Sequence, residues 1–217
     1  MTASGGAVHV LDHPLAAEAL CTLRDRTTEV TAFRAAMRVL GALLLVEATR
    51  DLALVRRRVT TPLAETDVAR LARPLPCLVS VLRAGDGLID GMLDLLPNAP
   101  VGLIGIWRDH ATLRPVEYYA KLPPDIAQRA AIVADPMLAT AGTAIAAIGQ
   151  LKLAGVARLC MVAALAAPEG IAALTAAHPD VALFVAAVDV RLDANGYIVP
   201  GLGDAGDRLF GTDGRGA

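Results

Sequence analysis

The second half of the chain alternates uninterrupted apolar runs with helix-like segments, and this alternation constrains the fold more than any other feature. The runs AAIVAD, ARLCMVAAL and VALFVAAVD are separated by GTAIAAIGQLKLAG and PEGIAALTAAH. Gly155 suits the end of the first helix, and Pro168 suits the first turn of the second. Apolar runs without alternation are typical of parallel strands that are covered by helices on both faces. We therefore predict an α/β fold with a doubly wound, mostly parallel sheet.

The first half is consistent with the same architecture. PCLVSVLRAG and VGLIGIW are short apolar runs that flank the helical GLIDGMLDLLP. From Pro14 to about Arg57 the apolar positions have helical spacing, which predicts a helical segment over about 14–57. A chain of 217 residues with 55% hydrophobic side chains can bury one large core. We predict one domain over residues 1–217.

Charge and composition argue against several classes of protein. The net charge is −2 and aromatic residues make up 3% of the chain, so neither nucleic acid nor a membrane surface is an expected partner. The start MTASGGAVHV does not resemble a signal peptide, and no apolar stretch predicts a membrane helix. We expect a cytoplasmic protein. The three scattered cysteines are predicted to be core residues, and the scattered histidines indicate no metal site.

Candidate binding residues follow the predicted strands. In open parallel sheets, ligands bind beyond the carboxyl ends of the strands. Those ends are predicted at Arg83-Ala84-Gly85, at Arg108-Asp109, at Asp135 and at Asp189. Arginine at such an edge suits bidentate contact with phosphate, although each one taken alone could equally be a surface residue.

The turn after Asp135 has the features of an anion site. Unpaired backbone N–H groups at a helix start bind phosphate, and Thr140 and Thr143 add hydroxyl donors. No Gly-Lys-Ser/Thr follows, so the turn is not a Walker loop. Asp135 could accept hydrogen bonds from sugar hydroxyls. An ordinary strand–helix turn with a capping threonine remains an alternative at this stage.

The segment YIVPGLGDAGDRLFGT contains GLGDAG, a literal match to the dinucleotide fingerprint. Only eleven residues follow Gly206, too few for a βαβ unit, so we reject a dinucleotide site. A glycine-rich loop that approaches a flat ligand closely is the remaining interpretation. The interleaved apolar residues argue against a free tail.

Two polar segments have other interpretations. The stretch between Arg108 and Arg129 is long for a connector, and we interpret Asp109–Gln128 as a lid. The basic run VRRRV is interpreted as a solvated edge at the end of a helix.

Taken together, the motifs resemble the uracil phosphoribosyltransferase family. The resemblance rests on DHPLAAEAL, EATRDL, VLRAG, WRDHATLRPVEYY, DPMLAT, AAPEGIAAL with HPD, and YIVPGLGDAGDRLFGT. It implies a type I phosphoribosyltransferase-like sheet with a hood formed by N- and C-terminal segments, and a base-binding loop over about 197–212. It also implies transfer of the 5-phosphoribosyl group from phosphoribosyl diphosphate to uracil, giving UMP and diphosphate.

The resemblance assigns roles to particular residues. Arg83, Arg108, Asp135 and Asp204 would be catalytic. The donor would be bound by Arg83, Arg108, Asp135, Pro136, Met137, Leu138, Ala139, Thr140, Ala141, Gly142, Thr143 and Asp204. Uracil would be bound by Ile198, Gly203, Asp204 and Ala205. Mg²⁺ would be the cofactor, held mainly through the donor. The family also implies a homodimer or higher homo-oligomer and leaves room for a nucleotide effector such as GTP.

Two positions depart from the family pattern. Ala141 stands where the phosphate turn usually has glycine, and Asp86 stands where the first loop usually has leucine. We expect Asp86 to turn outward or towards the metal, and Ala141 to weaken donor binding if the turn needs a left-handed residue there. These departures leave open a non-catalytic relative that binds the donor or UMP as a regulatory module. An RNA-binding attenuator is a third hypothesis, disfavoured by the low charge and few aromatics.

Overall fold

The computed structural model describes residues 6–108 and 115–212, with the backbone alone described at 107–108 and 115–117. The helices are α1 (Pro14–Arg24), α2 (Val30–Ala48), α3 (Asp86–Leu95), α4 (Gly142–Leu153), α5 (Pro168–Ala177) and α6 (Ala205–Phe210), with a 3₁₀ turn at Ile126–Gln128. The strands are β1 (Val8–Val10), β2 (Leu54–Thr60), β3 (Glu65–Leu71), β4 (Cys77–Leu82), β5 (Val101–Arg108), β6 (Pro115–Lys121), β7 (Ala130–Ala134), β8 (Met137–Leu138), β9 (Arg158–Ala166), β10 (Ala182–Val188), β11 (Arg191–Leu192) and β12 (Ile198–Val199).

The apolar runs form one large sheet with the order β1-β10-β9-β7-β4-β5-β6, and β8 pairs with the end of β9. All of its described pairings are parallel except β5–β6. In the centre of the sheet, Val79 of β4 lies opposite Gly102 of β5 and Val133 of β7. The predicted α/β fold with a mostly parallel sheet is confirmed.

Alternate residues of the strands face two separate apolar layers. Leu78, Ile132 and Val162 pack in a cluster with α1, α2, α3 and α6. Their neighbours Val79, Val133 and Met161 pack in a second cluster with α4 and α5. Helices therefore cover both faces, which explains why the strands are apolar without alternation.

The N-terminal helical prediction is wrong beyond Ala48. Residues 54–57 belong to β2, which pairs antiparallel with β3 through a turn at Thr61–Ala64. The basic run therefore lies on an exposed hairpin and not at a helix end. Arginine and β-branched residues suit an exposed strand, and the long-range pairing overrides the helical spacing.

Two further predictions are answered only in part. Part of the segment interpreted as a lid forms β6, antiparallel to β5, while residues 109–114 lie outside the described structure. Cys77 and Cys160 are buried as predicted, but Cys21 is exposed on α1.

Within the described residues, no helix is long and apolar enough to cross a membrane.

The C-terminal segment folds back over the carboxyl edge of the sheet. β11 and β12 form a short antiparallel hairpin, and α6 follows it. Ile198, Leu202 and Leu209 are each at most 5% exposed and belong to the same apolar cluster as α1 and α2. This packing places the glycine-rich loop above the ends of β4 and β7.

Candidate active site

A cavity of about 350 Å³ lies between the carboxyl ends of the strands and the C-terminal segment. The parallel neighbours β4 and β7 end side by side, so Arg83 and Asp135 both line it. Thr143, from the start of α4, lines it as well. On the opposite wall are Ile198, Gly203, Asp204 and Ala205. Three segments that are far apart in sequence therefore meet in a space large enough for a small ligand.

A second cavity of about 180 Å³ adjoins the first at Asp135, Met137, Ala139 and Thr143. The run from Met137 to Ala144 lines it, including Leu138, Thr140, Ala141 and Gly142. Pro136 does not line either cavity. Its carbonyl accepts hydrogen bonds of 3.0 Å from the N–H groups of Ala164 and Leu165, which anchor the turn to β9.

The start of α4 has the geometry of an anion site. Ala141 caps the helix with φ 63° and ψ 0°, a left-handed conformation, and makes no side-chain capping hydrogen bond. Among the described residues, Ala141 is the one non-glycine residue with positive φ. The first backbone N–H groups of α4 therefore border the smaller cavity, where a phosphate can accept from them.

Asp135 lies at the junction of the two cavities. Its Oδ1 accepts a hydrogen bond of 3.4 Å from the N–H of Met137. Burial raises the pKa of Asp135 to about 6, because this one long hydrogen bond compensates little for lost hydration. The carboxylate is therefore poised to accept further hydrogen bonds from a ligand.

Arg83 extends over the larger cavity from the β4–α3 loop. Its side chain is 57% exposed, and Nη2 lies 3.6 Å from Oδ1 of Asp207. Its guanidinium carbon is 5.4 Å from the ring centroid of Phe210. Arg108 ends β5, the neighbour of β4, but its side chain lies outside the described structure.

The loop before α6 is shaped by glycines and by Asp204. Gly201 has φ 63° and Gly203 has φ 80°, which turn the chain towards the cavity. Asp204 caps α6 by accepting a hydrogen bond of 2.8 Å from the N–H of Asp207. Backbone groups of this loop can contact a planar base closely.

The outward orientation expected for Asp86 is not observed. It begins α3, and its Oδ1 accepts a hydrogen bond of 2.6 Å from the hydroxyl of Ser80, a fully buried residue of β4. Its carboxylate therefore turns inward to β4, and Asp86 lines neither cavity. Its charge lies in the first turn of a helix, where the helix dipole favours it.

Asp189 does not line either cavity, contrary to its predicted place among the site-forming strand ends. It is 7% exposed and is paired with Arg24 of α1 at 2.5 Å. Burial alone would raise the pKa of Asp189, but the hydrogen bonds from Arg24 and Gly201 and the charge of Arg24 outweigh it and lower the pKa below its ordinary value. Asp189, which follows β10, therefore holds the glycine-rich loop through Gly201 and does not line the cavity.

Several lining residues were given no individual role from the sequence, among them Val81, Leu82, Ile106 and Gly196. Gly196 ends Asp-Ala-Asn-Gly, a turn sequence that could have indicated the β11–β12 hairpin. Ile106 carries no such signal, because its side chain type does not distinguish a cavity wall from the core.

The donor set of the cavity fits Mg²⁺. Asp135 and Asp204 both line it, and this ion is usually bound by one or two carboxylates together with substrate phosphates and water. In the described part of the chain, no group of three or more His, Cys, Asp or Glu residues could hold a metal by itself.

The fold and the site define the class of protein. A solved adenine phosphoribosyl transferase from Trypanosoma brucei has the same fold, with a TM-score of 0.54 at 17% identity over 87% of each chain. The structure is therefore a phosphoribosyltransferase-type α/β sheet, with the cavity at its carboxyl edge.

Closer relatives identify the family. The family model described as uracil phosphoribosyltransferase matches residues 10–212. A uracil phosphoribosyltransferase from Paracoccus denitrificans is 50% identical over 203 residues, which are 94% of this chain and 96% of the relative. A solved protein from Aquifex aeolicus has a TM-score of 0.89 at 36% identity and covers 94% of this chain and 97% of its own. The chain belongs to the uracil phosphoribosyltransferase family.

Proposed function

We propose that the protein transfers the 5-phosphoribosyl group of phosphoribosyl diphosphate to uracil, giving UMP and diphosphate. The observation that supports this most is the convergence on one cavity of Arg83, the Asp135–Thr143 turn and the Ile198–Ala205 segment, in a chain of this family. The resemblance divides these three segments between the donor and the base. Their meeting is what a two-substrate transfer requires.

In this proposal the donor is held along the strand edge. Its 5′-phosphate binds the N–H groups at the start of α4 and the hydroxyls of Thr140 and Thr143. Asp135 accepts hydrogen bonds from the ribose hydroxyls. Arg83 and Arg108 contact the diphosphate, and the exposed side chain of Arg83 can reach it after leaving Asp207.

Uracil is bound by the glycine-rich loop. The base presents an N–H donor flanked by two carbonyl acceptors, which backbone groups of Ile198 and Gly203–Ala205 can match without a charged side chain. Gly203, with φ 80°, has no Cβ to keep the backbone away from a planar ring. Holding the base against C1 of the donor converts the transfer to an effectively unimolecular step.

Catalysis then consists of positioning and charge stabilisation. As the bond between C1 and diphosphate breaks, positive charge develops on the ribose and negative charge on the leaving group. The two arginines stabilise the leaving group, and Asp204 faces the ribose. Mg²⁺, bound mainly through donor oxygens near Asp135 and Asp204, would add positive charge against the diphosphate.

The test is UMP formation from uracil and phosphoribosyl diphosphate, with Mg²⁺ or with excess EDTA, and with cytosine and purine bases as controls. We expect UMP only with uracil and the metal. A chain that binds the donor but forms no UMP at millimolar substrates would instead be a regulatory relative. The two residues that depart from the family pattern do not favour a regulatory relative. Asp86 is turned to Ser80, and Ala141 adopts the left-handed conformation.

Oligomerisation and a nucleotide effector such as GTP belong to the same proposal. Both rest on the family resemblance, and we propose a cytoplasmic location as well. Light scattering with and without GTP, followed by the same UMP assay, tests the first two directly.

A further inference from the structure

The glycine-rich loop is held from behind by three residues that do not line the cavity. Arg24 lies at the end of α1, Asp189 follows β10, and Arg208 lies in α6. We call Arg24, Asp189 and Arg208 the loop clamp. Two members are almost fully buried, with Asp189 7% exposed and Arg208 5% exposed.

Arg24 and Asp189 together hold both backbone groups of Gly201. The N–H of Gly201 donates to Oδ2 of Asp189 at 2.8 Å. Its carbonyl accepts from Nη1 of Arg24 at 2.9 Å. Arg24 also forms a bidentate pair with Asp189, at 2.9 Å and 2.5 Å. A bidentate pair fixes orientation as well as distance, so the position of Gly201 is set relative to β10 and α1.

Arg208 holds the next residue. Its Nη1 donates to the carbonyl of Leu202 at 2.8 Å and also to the carbonyl of Leu23. Its Nη2 donates to the carbonyl of Asp25 at 2.6 Å, and its guanidinium lies 4.5 Å from the ring centroid of Phe33. The loop is therefore tied to the carboxyl end of α1 at two consecutive residues, immediately before Gly203.

We propose that the loop clamp is a positioning device that determines uracil affinity and base specificity and affects donor binding much less. The inference rests on the proposed function, because it assumes that Gly203–Ala205 contact the base. Backbone groups recognise a base only if they are held within a fraction of an ångström. The donor-side residues Arg83, Asp135 and Thr143 lie on other segments, after β4, after β7 and at the start of α4. Asp204, which serves both substrates, lies on the loop itself, so we expect a smaller effect on the donor than on uracil.

The test compares Arg24→Met and Arg24→Lys with Arg38→Met. Arg38 is a matched control, since it forms a bidentate pair with Asp94 at 2.6 Å and 2.5 Å, between α2 and α3. We expect Arg24→Met to raise KM for uracil at least 10-fold and to change KM for the donor less than 3-fold. The preference for uracil over cytosine should fall as well. Arg24→Lys retains the charge and should recover part of the loss, and Arg38→Met should change none of these quantities.

Equal changes in the two KM values, or an unchanged uracil KM in Arg24→Met, would overturn the proposal. If Arg24→Met does not fold, the same comparison is made with Arg24→Lys and Asp189→Asn. The change in KM for uracil is divided by the change in KM for the donor. Uracil affinity measured by calorimetry gives the comparison without turnover. If the parent chain and Arg38→Met bind uracil but form no UMP, the proposed function fails while the clamp remains testable by binding.

Discussion

At the scale of single residues, Ala141 is a non-glycine residue in a left-handed conformation, which has a cost in free energy. The left-handed backbone at this position costs alanine about 1–2 kcal/mol relative to glycine. Because the folded chain has φ 63° there, we expect this cost to fall on folding and not on donor binding. The sequence led us to expect weaker donor binding. We now expect Ala141 to lower the stability of the fold instead.

We predict that Ala141→Gly leaves donor affinity within about 2-fold, because the strain at this position falls on folding. A change of about 1.4 kcal/mol in binding would instead alter the affinity tenfold. Relief of backbone strain is offset by the entropy of glycine and by loss of a buried methyl, about 0.8 kcal/mol. The net change in unfolding free energy should be below about 1 kcal/mol. Ala141→Val, a β-branched residue in the same conformation, should be clearly destabilising. Urea unfolding and donor calorimetry measure both, and a tenfold gain in affinity for Ala141→Gly would contradict this account.

Asp86 and Ser80 should behave as one unit. We predict that Asp86→Leu destabilises the fold by about 1–3 kcal/mol, because it leaves the buried hydroxyl of Ser80 without its acceptor. The double variant Ser80→Ala/Asp86→Leu removes both polar groups and should recover most of the loss. Urea unfolding of the parent, Ser80→Ala, Asp86→Leu and the double variant closes a double-mutant cycle. Additive effects would show that the hydrogen bond does not couple the two residues.

At the scale of elements, the C-terminal loop depends on how closely its backbone packs. A Cβ at Gly201 would lie 2.1 Å from the carbonyl oxygen of Ile198, whereas one at Gly203 would meet only Cδ of Arg208 at 3.7 Å. Both glycines have positive φ, so the pair separates a steric effect from backbone strain.

We predict that Gly203→Ala costs about 1–2 kcal/mol of stability from strain alone. Gly201→Ala should cost considerably more, because the loop must also move away from Asp189 and Arg24. Thermal unfolding of the two variants compares them directly. Equal losses of stability would mean that the loop moves away from the carbonyl of Ile198 at little cost in free energy.

Truncation before Tyr197 is a poor test of base binding, for a reason that lies at the same scale. It would remove Ile198, Leu202 and Leu209 from the core that contains α1 and α2. The loop and the fold cannot be separated by deletion, which is why single substitutions in the loop clamp are the sharper experiment.

At the scale of the whole molecule, pH acts through two aspartates in opposite directions. The pKa of Asp135 is raised to about 6, so its contribution to stability is present at low pH and is lost as the pH rises through about 6. The pKa of Asp189 is lowered, so its contribution is present at neutral pH and is lost as the pH falls through that pKa.

We predict that kcat/KM for the donor rises with pH through about 6, because Asp135 must be ionised to accept hydrogen bonds from ribose. The donor phosphate titrates in the same range, so Asp135→Asn is the necessary comparison. The variant should have lower activity and a shallower acid limb. A limb of identical steepness in both proteins would assign the titration to the donor alone.

The sequence by itself determined the sheet and the position of the site along the chain. Unbroken apolar strands separated by helices can be buried only in a covered parallel sheet, and such a sheet brings Arg83 and Asp135 to one edge. These are local patterns with a single packing solution. The type of each central strand and helix follows from them in the same way.

Only the tertiary structure decided what depends on partners far away in the chain. The β2–β3 hairpin forms through cross-strand pairing, Asp86 is turned by Ser80, and Asp189 is withdrawn from the cavity by Arg24, which lies 165 residues earlier. A carboxylate at a strand end looks the same in sequence whether it faces a ligand or an arginine. Its role is settled by which charge is folded against it, because a buried carboxylate beside a cation stays ionised, whereas one without such a partner has a raised pKa.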